Sequence, residues 1–125
     1  MLLQEQTLNV FNHHSYSIDG VFLYRNLHEL DSHFIEVFSR ASTLKEHGIM
    51  TVKIEVSFIV SRAKQSMASF MHQLADHNLK YLDHEVHVEW RFESYDVDIE
   101  ELGEIFQSVW SSKGLRDRFR MVALL

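Results

Sequence analysis

An alternation of apolar and polar residues from Met50 to Val60 constrains the fold more than any other feature of the sequence. Side chains on a β-strand point to opposite faces in turn, so this pattern predicts a strand with one buried face, which includes Phe58 and Val60. Beyond it the apolar residues recur at helical spacing: Ala63, Met67, Phe70, Met71 and Leu74. The chain therefore changes from strand to helix within the segment FIVSRAKQS, which contains neither glycine nor proline.

The rest of the chain also alternates between the residue spacing of strands and that of helices. A second alternating strand and two further helical stripes are centred on Trp90, Phe34 and Phe106, and a short strand closes the chain. Asp19-Gly20 between two apolar runs is typical of a two-residue turn, so Tyr16–Ile18 and Val21–Tyr24 are predicted to form an antiparallel hairpin. The sequence therefore predicts a single α/β domain over residues 1–125, with a mixed sheet and about three α-helices. Near the N-terminus, Leu8 and Val10 alternate with polar neighbours, as residues of a strand do.

Composition limits the possible partners and the compartment. The chain of 125 residues has a net charge of -6, which makes a nucleic-acid backbone an unfavourable partner. It has no cysteine, which excludes disulfides and is compatible with a reducing compartment. The N-terminal MLLQEQTLNVF lacks the pattern of a signal peptide, and no apolar run reaches the roughly 18 residues that span a bilayer. We expect a cytoplasmic protein without membrane insertion.

We expect surface histidines that share no site, because their spacing gives no pattern of a metal centre. There are nine of them, but His72 and His77 are five apart on a helix, where two ligands on one face need a spacing of three or four. His84 and His87 are three apart on a strand and point to opposite faces. No phosphate-binding glycine loop or nucleophile elbow is present. We therefore predict no metal, no cofactor and no catalytic residue.

Ser61 stands directly before the second helix, where two interpretations are open. Its hydroxyl can cap the free N–H groups of the first helical turn. It can also be a phosphorylation site, because the helix dipole and the side chains of Arg62 or Lys64 would stabilise the phosphate.

From about Gly20 to Leu124 the chain resembles the SiaC family of regulatory phosphoproteins. The family has a strand that ends in Tyr/Leu-Phe-Asn-Thr-Ser-Ser-x-Lys and then a helix; the matching residues here are Ser57-Phe58-Ile59-Val60-Ser61-Arg62-Ala63-Lys64. Further on, the family has Val-x-Trp, an acidic stretch and Glu-x-Gly-Glu-x-Phe; the matching residues here are Val88-Glu89-Trp90 and Glu101-Leu102-Gly103-Glu104-Ile105-Phe106. Near the first helix, in the segment Tyr24-Arg25-Asn26-Leu27-His28-Glu29, only Arg25 and Glu29 match the family pattern.

This resemblance implies a fold similar to STAS or anti-sigma-factor-antagonist domains and a role in partner switching. In such a system a kinase phosphorylates the threonine of the Asn-Thr-Ser-Ser segment and a phosphatase removes the phosphate. The unphosphorylated protein binds and activates a diguanylate cyclase, which raises cyclic di-GMP, a signal of biofilm formation. The resemblance therefore implies a binding module and not an enzyme.

The chain departs from the family at the phosphoacceptor, because the family threonine falls on Val60, which has no hydroxyl. Three interpretations remain open: Ser61 replaces it as acceptor, the protein is fixed in the unphosphorylated form, or it binds a different partner. We expect the partner-binding surface to include Ser61, Arg62, Lys64 and Gln65. The alternatives are a small enzyme that uses a metal or histidines and carboxylates, and a structural homo-oligomer, a homodimer included.

Overall fold

A computed structural model describes residues 13–124, and these form one sheet of four strands with three α-helices. The elements in chain order are β1 (His13–Phe22), α1 (Leu27–Ala41), β2 (Ile49–Ile59), α2 (Ser61–Lys80), β3 (Glu85–Glu93), α3 (Val97–Ser112) and β4 (Phe119–Leu124). Short 3-10 turns precede α1 at Tyr24–Asn26 and β4 at Arg116–Arg118.

The sheet is parallel throughout and its strands follow the chain in the order β1-β2-β3-β4. Each strand is joined to the next by a helix, and such crossovers are almost always right-handed. Since every crossover moves one strand in the same direction, all three helices lie on the same face of the sheet. The core lies between that face and the helices, with Ile54 and Trp90 of the sheet and Phe70 of α2 among its fully or almost fully buried residues.

The opposite face of the sheet is polar. Glu89 accepts a hydrogen bond from Arg120 on the neighbouring strand, and Arg91 lies 3.5 Å from a carboxylate oxygen of Glu55 on the strand at its other side. These cross-strand ion pairs place opposite charges side by side on a face that no helix of residues 13–124 covers.

The predicted α/β class and the three helices are confirmed, but the N-terminal hairpin is wrong. Residues 13–22 form one continuous strand that pairs with β2 in parallel, so the sheet is not mixed. A tight hairpin turn of the expected type needs positive φ at both central residues, and of Asp19 and Gly20 only Gly20 has it, at 125°. That backbone angle accompanies a shift in register between Gly20 and Val21 instead of a chain reversal.

The predicted alternation at Leu8 and Val10 lies outside the described residues. No helix among residues 13–124 is long and apolar enough to cross a lipid bilayer.

Candidate protein-docking site at the carboxyl edge of the sheet

A β-bulge at the end of β2 sets the geometry of the candidate site. Val56 pairs with Gly20 and Phe58 pairs with Val21, so Ser57 has no partner on β1. The extra residue reverses the alternation, which exposes Phe58 (54%) and buries Ile59 (5%). The prediction that Phe58 belongs to the buried face is therefore wrong, because the bulge interrupts the period of two.

Helix α2 begins directly after the bulge without a side-chain cap. Val60 is the N-cap residue, in extended conformation with φ −77° and ψ 160°, and it contributes no capping hydrogen bond. Its amide donates to the carbonyl oxygen of Phe22 (3.1 Å), and its carbonyl accepts from Lys64 (3.0 Å). Ser61 is the first helical residue, so the interpretation of Ser61 as the N-cap is wrong by one position. Within residues 13–124, the N-terminus of α2 therefore keeps free N–H groups and the positive end of its dipole.

The four predicted partner-binding residues lie together on the first turn of α2. Ser61, Arg62, Lys64 and Gln65 are all exposed, and Ala63 between them is buried in the core. Among residues 13–124, neither Arg62 nor Lys64 forms a salt bridge. Their charges are therefore available to a second molecule.

A cleft of about 170 Å³ separates this turn from the start of α3. It is lined by Lys64 on one side and by Asp96 and Asp98 on the other, with the end of β2 as its floor. Asp96 caps α3, since its carboxylate accepts a hydrogen bond from the amide of Ile99 at 3.3 Å. The two helix starts thus differ: α3 has an acidic cap, whereas α2 has an apolar residue in the same position.

Exposed apolar side chains lie around the first turn of α2, which carries Arg62 and Lys64. The sequence did not identify them as a group. They lie where the first three strands end, and we name them the apolar edge: Val21, Tyr24, Phe58, Tyr95 and Val97, each between 45% and 80% exposed. Large apolar side chains grouped on a surface mark interaction sites more often than isolated ones do. The only sequence signal was the run Phe58-Ile59-Val60, in which three apolar residues cannot all face the core of a half-buried strand.

The second family motif has a direct structural basis. Gly103 of α3 packs against the indole of Trp90, and a Cβ atom at this position would lie only 2.5 Å from Trp90 Nε1 and 2.8 Å from Met121 Cε. Trp90 Nε1 also donates a 2.9 Å hydrogen bond to the carbonyl of Ile99. The tryptophan and the glycine are therefore one packing unit that fixes the start of α3 on the sheet.

The structure brings together two histidines that the spacing argument had left apart. His77 Nε2 and His84 Nε2 lie 2.9 Å from each other, so the prediction that the histidines share no site is wrong for this pair. His72 and His77 do not meet, as the spacing predicts. Among residues 13–124, no group of three or more histidine, aspartate or glutamate side chains is arranged to hold a metal ion.

These observations define a small α/β protein with an exposed surface of basic and apolar side chains at the start of α2. A comparison with family models matches residues 8–115 of the chain to the SiaC family of regulatory phosphoproteins. The chain belongs to this family. No curated protein and no solved structure matches it.

Proposed function

We propose that this protein is a non-catalytic, partner-switching regulator that binds a diguanylate cyclase and so controls the level of cyclic di-GMP. One observation carries the proposal: the segment that resembles the phosphoacceptor segment of the SiaC family lies on an exposed surface, with Arg62 and Lys64 in no salt bridge within residues 13–124. The apolar edge supplies buried area for a complex, and the two cations supply contacts to an acidic rim on the partner.

In this proposal Val60 replaces the phosphoacceptor threonine, and the protein stays in the form that binds its partner. The N-cap is the position where a phosphate would be most stabilised, because the free N–H groups and the helix dipole both favour an anion there. Val60 occupies this position with a hydrocarbon side chain. A kinase therefore has no oxygen to modify at residue 60.

Ser61 is the second possible acceptor. Its hydroxyl is exposed, one residue into the helix and next to Arg62. A phosphate there would still lie within the first turn, where the helix dipole acts. Modification of Ser61 would make the protein switchable, whereas a lack of modification would leave it constitutively active.

Intact-protein mass spectrometry after incubation with the cognate kinase and ATP separates these two forms. We expect no added phosphate on the native protein and one on the Val60→Thr variant. A phosphate on the native protein that Ser61→Ala abolishes would replace the constitutive form by a switch at Ser61. Failure of Val60→Thr to be modified would show that the kinase-docking surface has been lost as well.

The partner itself is tested by the rate at which the purified cyclase makes cyclic di-GMP. We expect the native protein to raise this rate and Arg62→Glu/Lys64→Glu to abolish the effect. The matched control is Lys45→Glu/Lys80→Glu, which changes the net charge equally at exposed positions on the opposite edge of the sheet. If the cyclase is active alone but neither the native protein nor the control variant stimulates it, the proposed function is refuted.

A further inference from the structure

The end of α2 and the start of β3 bring two imidazoles into contact, far from the docking surface. His77 lies in the last turn of α2 and His84 just before β3, and a short turn joins the two elements. Their Nε2 atoms are 2.9 Å apart and the ring centroids 5.1 Å apart. Both rings thus direct the same nitrogen toward one point.

The other nitrogen of His84, Nδ1, lies near a carboxylate but makes no hydrogen bond to it. His84 is 95% buried, and its Nδ1 makes no hydrogen bond within residues 13–124; a carboxylate oxygen of Asp83 lies 3.5 Å from it. Histidines that bind metals commonly direct their second N–H to a carboxylate, which fixes the tautomer and leaves the first nitrogen free to coordinate. The ring of Tyr81 stacks on His84 with an interplanar angle of 15° and so holds its orientation.

We propose that His77 and His84 form a two-histidine site for a divalent transition-metal ion such as Zn²⁺, Ni²⁺ or Cu²⁺. Neutral imidazole is a preferred ligand of these ions. Two tetrahedral Zn–N bonds of about 2.1 Å place the nitrogens about 3.4 Å apart, so a side-chain shift of about half an ångström admits the ion. This inference rests on the histidine geometry alone and is independent of the proposed docking surface.

The surroundings set the class and the strength of this site. His77 is half-buried, which leaves an open side where water completes the coordination. Asp83 adds a negative charge, whereas the ammonium of Lys80, 5.3 Å from the centre of the Tyr81 ring, adds a positive one. Because the site has two protein ligands and balanced charges, its affinity for the metal ion is that of an exchangeable site and lower than that of a structural zinc site.

Isothermal titration of the EDTA-treated full-length protein with Zn²⁺ tests the site. We expect one binding event, weakened at least about tenfold in His77→Gln, since even an outer-shell partner contributes about tenfold. His72→Gln is the matched control, because His72 is exposed on the same helix and should leave the affinity unchanged. Circular dichroism of His77→Gln verifies that the half-buried substitution leaves the fold intact.

Paramagnetic Cu²⁺ provides a second readout that does not depend on substitutions. Imidazole resonances of His77 and His84 should broaden first in the NMR spectrum. Those of His13 and His14, two exposed histidines that follow each other in the sequence, should broaden later. Broadening that begins at His13 and His14, equal losses in the two variants, or no heat with millimolar Zn²⁺ would each overturn the proposal. In that case the pair is a hydrogen-bonded histidine dyad only.

Discussion

A threonine in place of Val60 should stabilise the protein by capping α2. The backbone at residue 60 already has the extended conformation of an N-cap, and its carbonyl already accepts the first helical hydrogen bond. Only the side-chain acceptor is missing. A hydroxyl at this position would accept from the N–H of Arg62 or Ala63, the second and third residues of the helix.

The expected gain follows from two opposing terms. A new N-cap contributes about 1 kcal/mol to the free energy of unfolding. Val60 is half-buried against the core, so the exchange of one methyl for a hydroxyl costs about 0.4 kcal/mol, half of the value for a buried methylene. The net effect of Val60→Thr is therefore a stabilisation of about 0.6 kcal/mol. Val60→Ala gives no cap and loses two methyls, which predicts a loss of about 0.8 kcal/mol.

Urea unfolding at pH 7 measures the difference between these variants. Val60→Thr should exceed Val60→Ala by about 1.4 kcal/mol with an unchanged m-value. For a chain of 125 residues this corresponds to a difference in Tm of about 5 °C. If the two variants are equally destabilised, α2 gains nothing from a cap, and the assignment of residue 60 as an uncapped N-cap is refuted.

Three further predictions concern the packing of Gly103, the hydrogen bonds of Asn78 and the pKa of His77. Gly103→Ala should lower the free energy of unfolding by about 1–2 kcal/mol in urea titrations, because the new methyl collides with Trp90 and the gain in helix propensity only partly offsets this. Asn78→Ala should cost about 2–3 kcal/mol in the same assay, because Asn78 accepts from the amide and donates to the carbonyl of Val86, both at 2.9 Å, and these buried groups would lose their partners. Burial lowers the pKa of His77, and the nearby His84 and Lys80 lower it further, His84 more than Lys80. As the pH falls, the unfolded chain therefore takes up this proton at a higher pH than the folded protein does. Stability of the metal-free protein should therefore fall as the pH decreases from about 6.5, and less so in His77→Gln, as thermal melts between pH 7 and 5 would show.

The regular parts of the fold could be predicted from the sequence because periodicity reports burial directly. The alternation in β2 and the stripes of α2 and α3 each describe one face of one element against the core. The hairpin prediction failed for a different reason. Asp19-Gly20 is compatible with a tight turn and also with a bulge in a parallel strand, and only the pairing with β2 decides between them.

The candidate site was predictable in its position but not in its composition. The change of period located the start of α2, and with it Arg62 and Lys64. The exposure of Phe58 depends on a register shift between two strands that are far apart in the chain, which no local pattern contains. The contact of His77 with His84 likewise depends on the turn that joins α2 to β3, whereas the spacing rules treat each helix or strand separately.

Affinity capture from a lysate of the source organism, followed by mass spectrometry, tests the central claim most directly. Three baits are compared: the native protein, Arg62→Glu/Lys64→Glu, and the control Lys45→Glu/Lys80→Glu. The account predicts that a diguanylate cyclase is recovered with the native and control baits and lost with Arg62→Glu/Lys64→Glu. Equal recovery with all three baits would contradict the docking surface, and recovery of no cyclase with any bait would contradict the proposed partner.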